Sequence, residues 1–142
     1  MSKEIKALIF DVGGVVVFKN SEVVRNQKAN TVLIKFLEKI KRKYALYSLS
    51  NIDEEFHKET KRKGIYKVFK KNYPSYLTGI KKPSKKAFLI VLKENNLNPK
   101  EIIFVDDKQD NINTAKKLGM KIILFKNNKQ LVSDLKKFGV EV

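Results

Sequence analysis

The chain has 142 residues, no cysteine, and a formal net charge of +16 from 31 basic and 15 acidic residues. This length fits one domain better than two, and we expect a single domain over residues 1–142. The lack of cysteine excludes a disulfide scaffold and thiolate zinc sites, and it suits a cytoplasmic protein. No apolar run approaches the ~18 residues of a membrane span, and the first residues do not resemble a cleavable signal, so no membrane partner is expected.

The positive charge has two interpretations. It is typical of a protein that binds a polyanion such as nucleic acid. It is also typical of a lysine-rich composition, because arginine, which is favoured for bidentate phosphate and base contacts, occurs only at Arg25, Arg42 and Arg62. The compositional interpretation is preferred, and weak polyanion binding is left open.

Apolar patterning predicts strands and helices that alternate along the chain. Residues 4–10 form an apolar run that ends at Asp11, which is typical of a strand buried on both faces of a parallel sheet. Residues 15–18 form a second, short β-prone run. Apolar residues then recur at helical spacing from Thr31, and residues 44–49 are the next predicted strand.

The rest of the chain continues this alternation. The predicted elements, in chain order, are a short helix at 53–62, a short strand within 73–77, a helix after Ser84, a strand at 102–105, a helix closed by Gly119, a strand at 121–125 and a helix at 128–138. This order predicts an α/β fold, a three-layer Rossmann-like sandwich with a mainly parallel five-stranded sheet.

Polar side chains stand at the predicted carboxyl ends of three strands. They are Asp11, Ser50 and the pair Asp106 and Asp107. Ligands of open parallel sheets bind outside the carboxyl ends of the strands, so we expect these groups to converge. Clustered carboxylates repel one another unless a cation intervenes, and a hard divalent ion, Mg²⁺ most readily, prefers such oxygen ligands. Asp11 could be a buried acid that caps a turn, a metal ligand or a nucleophile.

The residues around Asp11 suit a bound phosphate. Glycines at 13 and 14 would let a backbone carbonyl approach an ion closely. A phosphate beside the ion would need hydroxyl donors and further positive charge, which Ser50 and Lys82 can supply. An aspartate nucleophile would attack phosphorus and form an acyl phosphate that water later hydrolyses.

Four segments resemble, in order, the four motifs of the haloacid dehalogenase superfamily, and most closely its FDxGGV hydrolase branch. They are LIFDVGGVVV, LYSLSN, GIKKPSKKAF and IIFVDDKQDNINTAKKLGM. The resemblance runs from about residue 4 to residue 126. It implies a Mg²⁺-dependent phosphohydrolase that acts through an aspartyl-phosphate intermediate on a phosphorylated substrate of unknown identity.

The resemblance also implies a role for each motif residue. Asp11 is the implied nucleophile. The implied Mg²⁺ ligands are Asp11, the carbonyl of Gly13, Asp107 directly, and Asp106 directly or through water. The implied phosphate-binding groups are Ser50, the backbone at Asn51, and Lys82, with Asn111 as the residue that steadies the acidic loop.

The sequence departs from the family pattern at position 13. Phosphatases of this family usually carry an Asp there as general acid and base, and this chain has Gly13. Loss of a general acid typically costs roughly 10²–10⁴ in rate. A catalytically degenerate binding module, for an anionic partner such as nucleic acid, is therefore the alternative function.

A second departure is the short segment between Asp11 and Ser50. Relatives in this branch place a helical cap domain there, but only about residues 20–30 remain after the predicted flap and helix. We therefore expect no cap domain and an open site. A homodimer could cover this site and an exposed apolar flap at Val15–Phe18, although repulsion between like-charged subunits opposes it.

Overall fold

A computed structural model describes residues 4–18 and 28–142. In chain order its elements are β1 (Ala7–Phe10), β2 (Val17–Phe18), β3 (Lys28–Ala29), α1 (Thr31–Ile40), β4 (Ala45–Ser50), α2 (Glu54–Arg62), β5 (Lys71–Pro74), α3 (Ser75–Thr78), α4 (Lys85–Glu94), β6 (Ile102–Asp106), α5 (Gln109–Lys117), β7 (Lys121–Leu124) and α6 (Asn128–Lys137), with 3-10 turns at Ile65–Val68 and Pro99–Glu101.

The centre of the fold is a five-stranded sheet in the order β5-β4-β1-β6-β7, and every adjacent pair is parallel. Strand β1 lies in the middle and is fully buried, which explains why its sequence is continuously apolar. The predicted α/β sandwich with a mainly parallel five-stranded sheet is confirmed.

Helices cover both faces of the sheet. Leu8 and Phe10 of β1 point into one core, which contains buried leucines of α1 and α6. Ala7 and Ile9 point into the other core, which contains Phe88 of α4 and apolar residues of α5. Successive residues of a strand face opposite sides, so the middle strand anchors both layers.

Strand β5 differs from its prediction. The predicted strand lay within residues 73–77, but the observed strand is Lys71–Pro74, and the chain turns into the short helix α3 at Ser75. The strand begins with Lys71 and Asn72 at the edge of the sheet, where one side is open to solvent and polar residues are accepted. Its apolar signal was therefore weak.

The expected exposure of the apolar flap is wrong for three of its four residues. Val15, Val16 and Val17 are buried, and only Phe18, with 44% of its surface exposed, reaches solvent. A tight turn causes this burial, because the amides of all three valines donate to the Val12 carbonyl at 2.9–3.2 Å and fold the segment onto the core. Strand β2 then pairs antiparallel with β3 to form a hairpin.

Asn30 joins this hairpin to two helices from a buried position. Its side-chain nitrogen donates to the Val15 carbonyl at 3.0 Å and to Asn128 Oδ1 at 2.8 Å. Its side-chain oxygen accepts from the Leu33 amide at 3.3 Å, which caps α1, and from Asn128 Nδ2 at 2.9 Å. The amide pair of Asn30 and Asn128 therefore ties the start of α1, the hairpin and the start of α6 together.

Between β1 and β4, the described residues form only the hairpin and α1. None of the helices in the described part of the chain has both the length and the apolar character needed to cross a membrane.

Replacing Asn30 tests whether this amide network stabilises the fold. Asn30→Ala should lower the free energy of unfolding by about 1–3 kcal/mol, because it removes a helix cap and leaves buried polar groups unpaired. Asn128→Ala should cost less, since the cap and the bond to Val15 remain. Urea denaturation measures the stability loss of each variant, provided that the m-value is unchanged. Equal stability of Asn30→Ala and the unmodified chain would contradict this role.

Candidate active site

Three carboxylates meet at the carboxyl edge of the sheet. Asp11 follows β1, Asp106 ends the neighbouring strand β6, and Asp107 comes next. An oxygen from each of the three side chains lies within 4.8 Å of the others. Parallel pairing of β1 with β6 therefore brings together the acidic groups that the sequence places at two strand ends.

Lys82 reaches into this cluster and is almost fully buried. Its Nζ lies 2.9 Å from Asp11 Oδ1 and 2.7 Å from Asp106 Oδ2, and it sits 5.7 Å from the centre of the Phe104 ring. One ammonium thus bridges two buried carboxylates. Its neighbour Lys81 is exposed.

Both oxygens of the Asp106 carboxylate accept hydrogen bonds. Its Oδ1 accepts from the Lys108 backbone amide at 3.0 Å, and its Oδ2 accepts from Asn111 Nδ2 at 3.0 Å as well as from Lys82. The structure therefore places the Asn111 side chain in direct contact with Asp106. These bonds fix the direction in which Asp106 points.

Burial disfavours the ionised form of Asp11. Burial raises the pKa of Asp11 to about 7; the Lys82 ammonium opposes this rise, and the negative charges of Asp106 and Asp107 add to it. Three carboxylates and one ammonium leave an excess of negative charge. A divalent cation with oxygen ligands would offset this excess, so the donor set fits a hard metal ion.

Ser50 supplies a hydroxyl at the end of β4, the strand next to β1. Its Oγ is buried and has no hydrogen-bond partner among residues 4–18 and 28–142. Buried hydroxyls in proteins usually are hydrogen-bonded, so an unpaired one at this edge is suited to an oxygen-rich ligand.

Asn51 has a side-chain role that the sequence analysis missed. Its Nδ2 donates to the Lys82 carbonyl at 2.8 Å, and its Oδ1 accepts from the Lys82 amide at 2.8 Å. This two-way clamp holds the backbone that carries the buried ammonium. The position of Asn51 next to Ser50 indicated that it lies at the site, but its side-chain contact with residue 82 cannot be predicted from local sequence spacing.

The two glycines after Asp11 differ in what the backbone requires. Gly14 has a φ of 90°, which favours glycine, and its amide donates to the Val17 carbonyl at 2.7 Å. Gly13 does not share this conformation, and among the described residues a Cβ atom built there would approach only Phe56 Cζ, at 3.9 Å. Position 13 therefore has room for a Cβ atom.

His57, the one histidine of the sequence, is half-buried. Its Nδ1 lies 2.8 Å from Tyr66 Oη, and the two rings are 4.9 Å apart. Burial lowers the pKa of His57, and the nearby Lys61 charge lowers it further. The contact joins α2 to the following 3-10 turn, which is a structural role.

Curated relatives match about half of this chain. A D-ribitol-5-phosphate phosphatase from Bacteroides thetaiotaomicron is 34% identical over 89 residues, which cover 56% of this chain and 42% of the relative. A drimenol cyclase from Aspergillus calidoustus is 35% identical over 81 residues, which cover 56% of this chain and 15% of the relative. The matched regions thus span less than half the length of either relative.

Solved structures share the fold over most of the chain. A predicted HAD-like family hydrolase from Porphyromonas gingivalis superposes with a TM-score of 0.81 at 16% identity, covering 99% of this chain and 100% of that chain. A HAD family enzyme from Bacteroides thetaiotaomicron, in complex with magnesium and inorganic phosphate, gives a TM-score of 0.77 at 21% identity and covers 86% and 94% of the two chains.

A family model described as haloacid dehalogenase-like hydrolase matches residues 9–125. This range starts within β1, includes all three carboxylates and Lys82, and ends just after β7. Because the match covers well over half of the sequence, the chain belongs to the haloacid dehalogenase-like hydrolase family.

Proposed function

We propose that this chain is a Mg²⁺-dependent phosphohydrolase in which Asp11 is the nucleophile and forms an aspartyl-phosphate intermediate. The observation that carries the proposal is the buried Lys82 ammonium bridging Asp11 and Asp106, with Asp107 in the same cluster. A buried cluster with excess negative charge at a sheet edge is costly for stability alone, and such costs are typical of functional sites.

The three carboxylates and the carbonyl of Gly13 would hold the metal ion. The observed donor set supports this assignment, as does the magnesium and phosphate complex of a structure with the same fold. When bound, Mg²⁺ would neutralise charge on the phosphate and on the cluster. With that charge balanced, Asp11 would remain ionised at neutral pH.

The remaining site residues would bind the phosphoryl group. Ser50 Oγ, which lacks a partner in the described chain, would donate to a phosphoryl oxygen, together with the backbone at Asn51. Lys82 would neutralise charge on the phosphate while it holds Asp11 in place. The side chain of Asn51 would keep Lys82 in position through its two backbone bonds.

The reaction would proceed in two displacements. The Asp11 carboxylate oxygen attacks phosphorus, a new O–P bond forms, and the bond to the ester oxygen breaks. The leaving oxygen takes a proton from water, since Gly13 has no acid to donate one. Water then attacks the phosphorus of the aspartyl phosphate, which restores the Asp11 carboxylate and releases inorganic phosphate.

Several properties of the whole protein are part of this proposal. We take residues 1–142 as a single core domain without a cap, with an open site and a cytoplasmic location. Weak polyanion binding and a homodimer remain proposals. The case for a dimer is smaller than the sequence suggested, because Phe18 is the exposed residue of a flap whose three valines are buried.

Thermal unfolding tests the metal site. Saturating Mg²⁺ should raise the Tm by several degrees, because an ion that binds only the folded state stabilises it. Asp107→Asn should abolish this shift. Asp110→Asn is the matched control, since Asp110 is an exposed carboxylate in the first turn of α5, and its variant should keep the shift. A Tm that does not respond to millimolar Mg²⁺ would refute the site.

Turnover of p-nitrophenyl phosphate tests the nucleophile. Asp11→Asn should reduce Mg²⁺-dependent hydrolysis to background, because an amide cannot form the acyl phosphate. Without Mg²⁺ at pH 8 the same variant should melt no lower than the unmodified chain. The raised pKa means that ionisation of Asp11 costs the folded state stability as pH rises through about 7, and Asn removes that cost.

Full activity in Asp11→Asn would show that the nucleophile is assigned wrongly. An unmodified chain that binds Mg²⁺ but hydrolyses no phosphorylated compound would instead favour the non-catalytic binding module.

Position 13 offers a gain-of-function test. Gly13→Asp should raise turnover of an alkyl phosphate by up to roughly 10²–10⁴-fold, because it installs a general acid at a position where a Cβ atom meets no close contact. Turnover of p-nitrophenyl phosphate should rise much less, since its leaving group needs little protonation. Gly13→Asn provides the isosteric control without a titratable proton. Equal effects of Asp and Asn on both substrates would contradict the missing-acid explanation.

A further inference from the structure

A cleft of about 540 Å³ opens beside Asp107, between the hairpin and the loop that leads into α6. Its volume falls within the range of small-molecule binding sites. Gly14 and Asp107 are among the residues that line it. Because an Asp107 oxygen lies within 4.8 Å of an Asp11 oxygen, a phosphate held at the carboxylates would sit directly next to this cleft.

Two aromatic residues from distant parts of the sequence line the cleft. Phe18 comes from β2 and has 44% of its surface exposed, and the partly buried Phe125 follows β7. An exposed phenylalanine at the mouth of a site gains free energy when another apolar surface covers it. An aromatic side chain packs especially well against a planar ring of the ligand, which can contact either the face or the edge of the phenylalanine ring.

Four polar residues of the cleft lie outside the carboxylate cluster. Asn30 and Asn128 have side-chain amides that bind each other. Lys126 and Asn127 are exposed. Asn127 Oδ1 already accepts from the Gln130 amide, so the Lys126 ammonium and the Asn127 side-chain NH₂ are the groups that can bind acceptors on a ligand.

We propose that this cleft binds the ester group of the substrate, and that the substrates are phosphate monoesters whose ester group carries a planar ring with hydrogen-bond acceptors. The inference rests on the proposed phosphohydrolase function. Phe18 and Phe125 would contact the ring, while Lys126 and Asn127 would bind its polar substituents. The phosphate would remain at the carboxylate cluster, so the two ends of one molecule would occupy the two parts of the site.

Binding of two phosphonates tests the ring preference without requiring turnover. Isothermal titration of the Mg²⁺-loaded chain should give a Kd for phenylphosphonate roughly 5- to 150-fold lower than that for methylphosphonate, the range found for ring stacking on one aromatic side chain. Inorganic phosphate, titrated under the same conditions, reports on the phosphate end of the site alone.

Variants of the two phenylalanines test where the phenyl ring of phenylphosphonate binds. Phe18→Ala, at an exposed position, and Phe125→Leu, which keeps the packing of a partly buried residue, should each reduce the preference several-fold and leave the affinity for inorganic phosphate unchanged. Leu77→Ala is the matched control: Leu77 is an exposed apolar residue in α3, after β5, outside the residues that line the cleft. It should keep the full preference.

The outcomes separate the two proposals. Equal affinities for the two phosphonates, with inorganic phosphate still bound, would overturn the ring inference and leave the proposed function standing. A preference that survives in both phenylalanine variants, or that is lost in Leu77→Ala, would overturn it as well. Failure of inorganic phosphate to bind the Mg²⁺-loaded chain would overturn the proposed function and, with it, the inference that rests on it.

Discussion

The contact of Lys82 with Asp11 and Asp106 is the interaction on which the site depends. Buried charges are costly unless they are paired and hydrogen-bonded, and here one ammonium serves two carboxylates. The Lys82 ammonium does not fully offset the cost of burying the Asp11 carboxylate, as the raised pKa of Asp11 indicates. The fold tolerates this because each partner is anchored separately: Asn51 clamps the Lys82 backbone, and Asn111 holds Asp106. The geometry is therefore kept even though the charges do not balance.

The parallel sheet is what makes this arrangement possible. Strands β1, β4 and β6 are neighbours and run in the same direction, so each delivers its polar terminal group to one edge. The interiors of β1 and β6 are apolar, β4 adds the buried Ser48, and helices cover both faces of the sheet. The apolar core thus offsets the cost of a buried, charged edge, as is common where a stable scaffold carries a functional site.

Sequence reasoning succeeded where burial leaves a local signal. Strands covered on both faces are rich in apolar residues, continuously in β1 and β6 and with Ser48 as an exception in β4, so these strands and the convergence of their terminal polar groups could be predicted. The edge strand β5 carries Lys71 and Asn72 and has no such run. The burial of Val15–Val17 depends on a turn around the Val12 carbonyl, and the clamp of Asn51 on Lys82 joins distant positions. Contacts of this kind leave no periodic pattern.

The amide pair of Asn30 and Asn128 links the two walls of the cleft beside Asp107. One wall belongs to the hairpin and the other to the start of α6, and the hydrogen bonds between Asn30 and Asn128 join the two walls. A preorganised gap requires little ordering when a ligand enters, so selectivity there would come from shape and not from closure. Substitutions at the exposed rim could then change the accepted ligand while the chemistry at Asp11 stays the same.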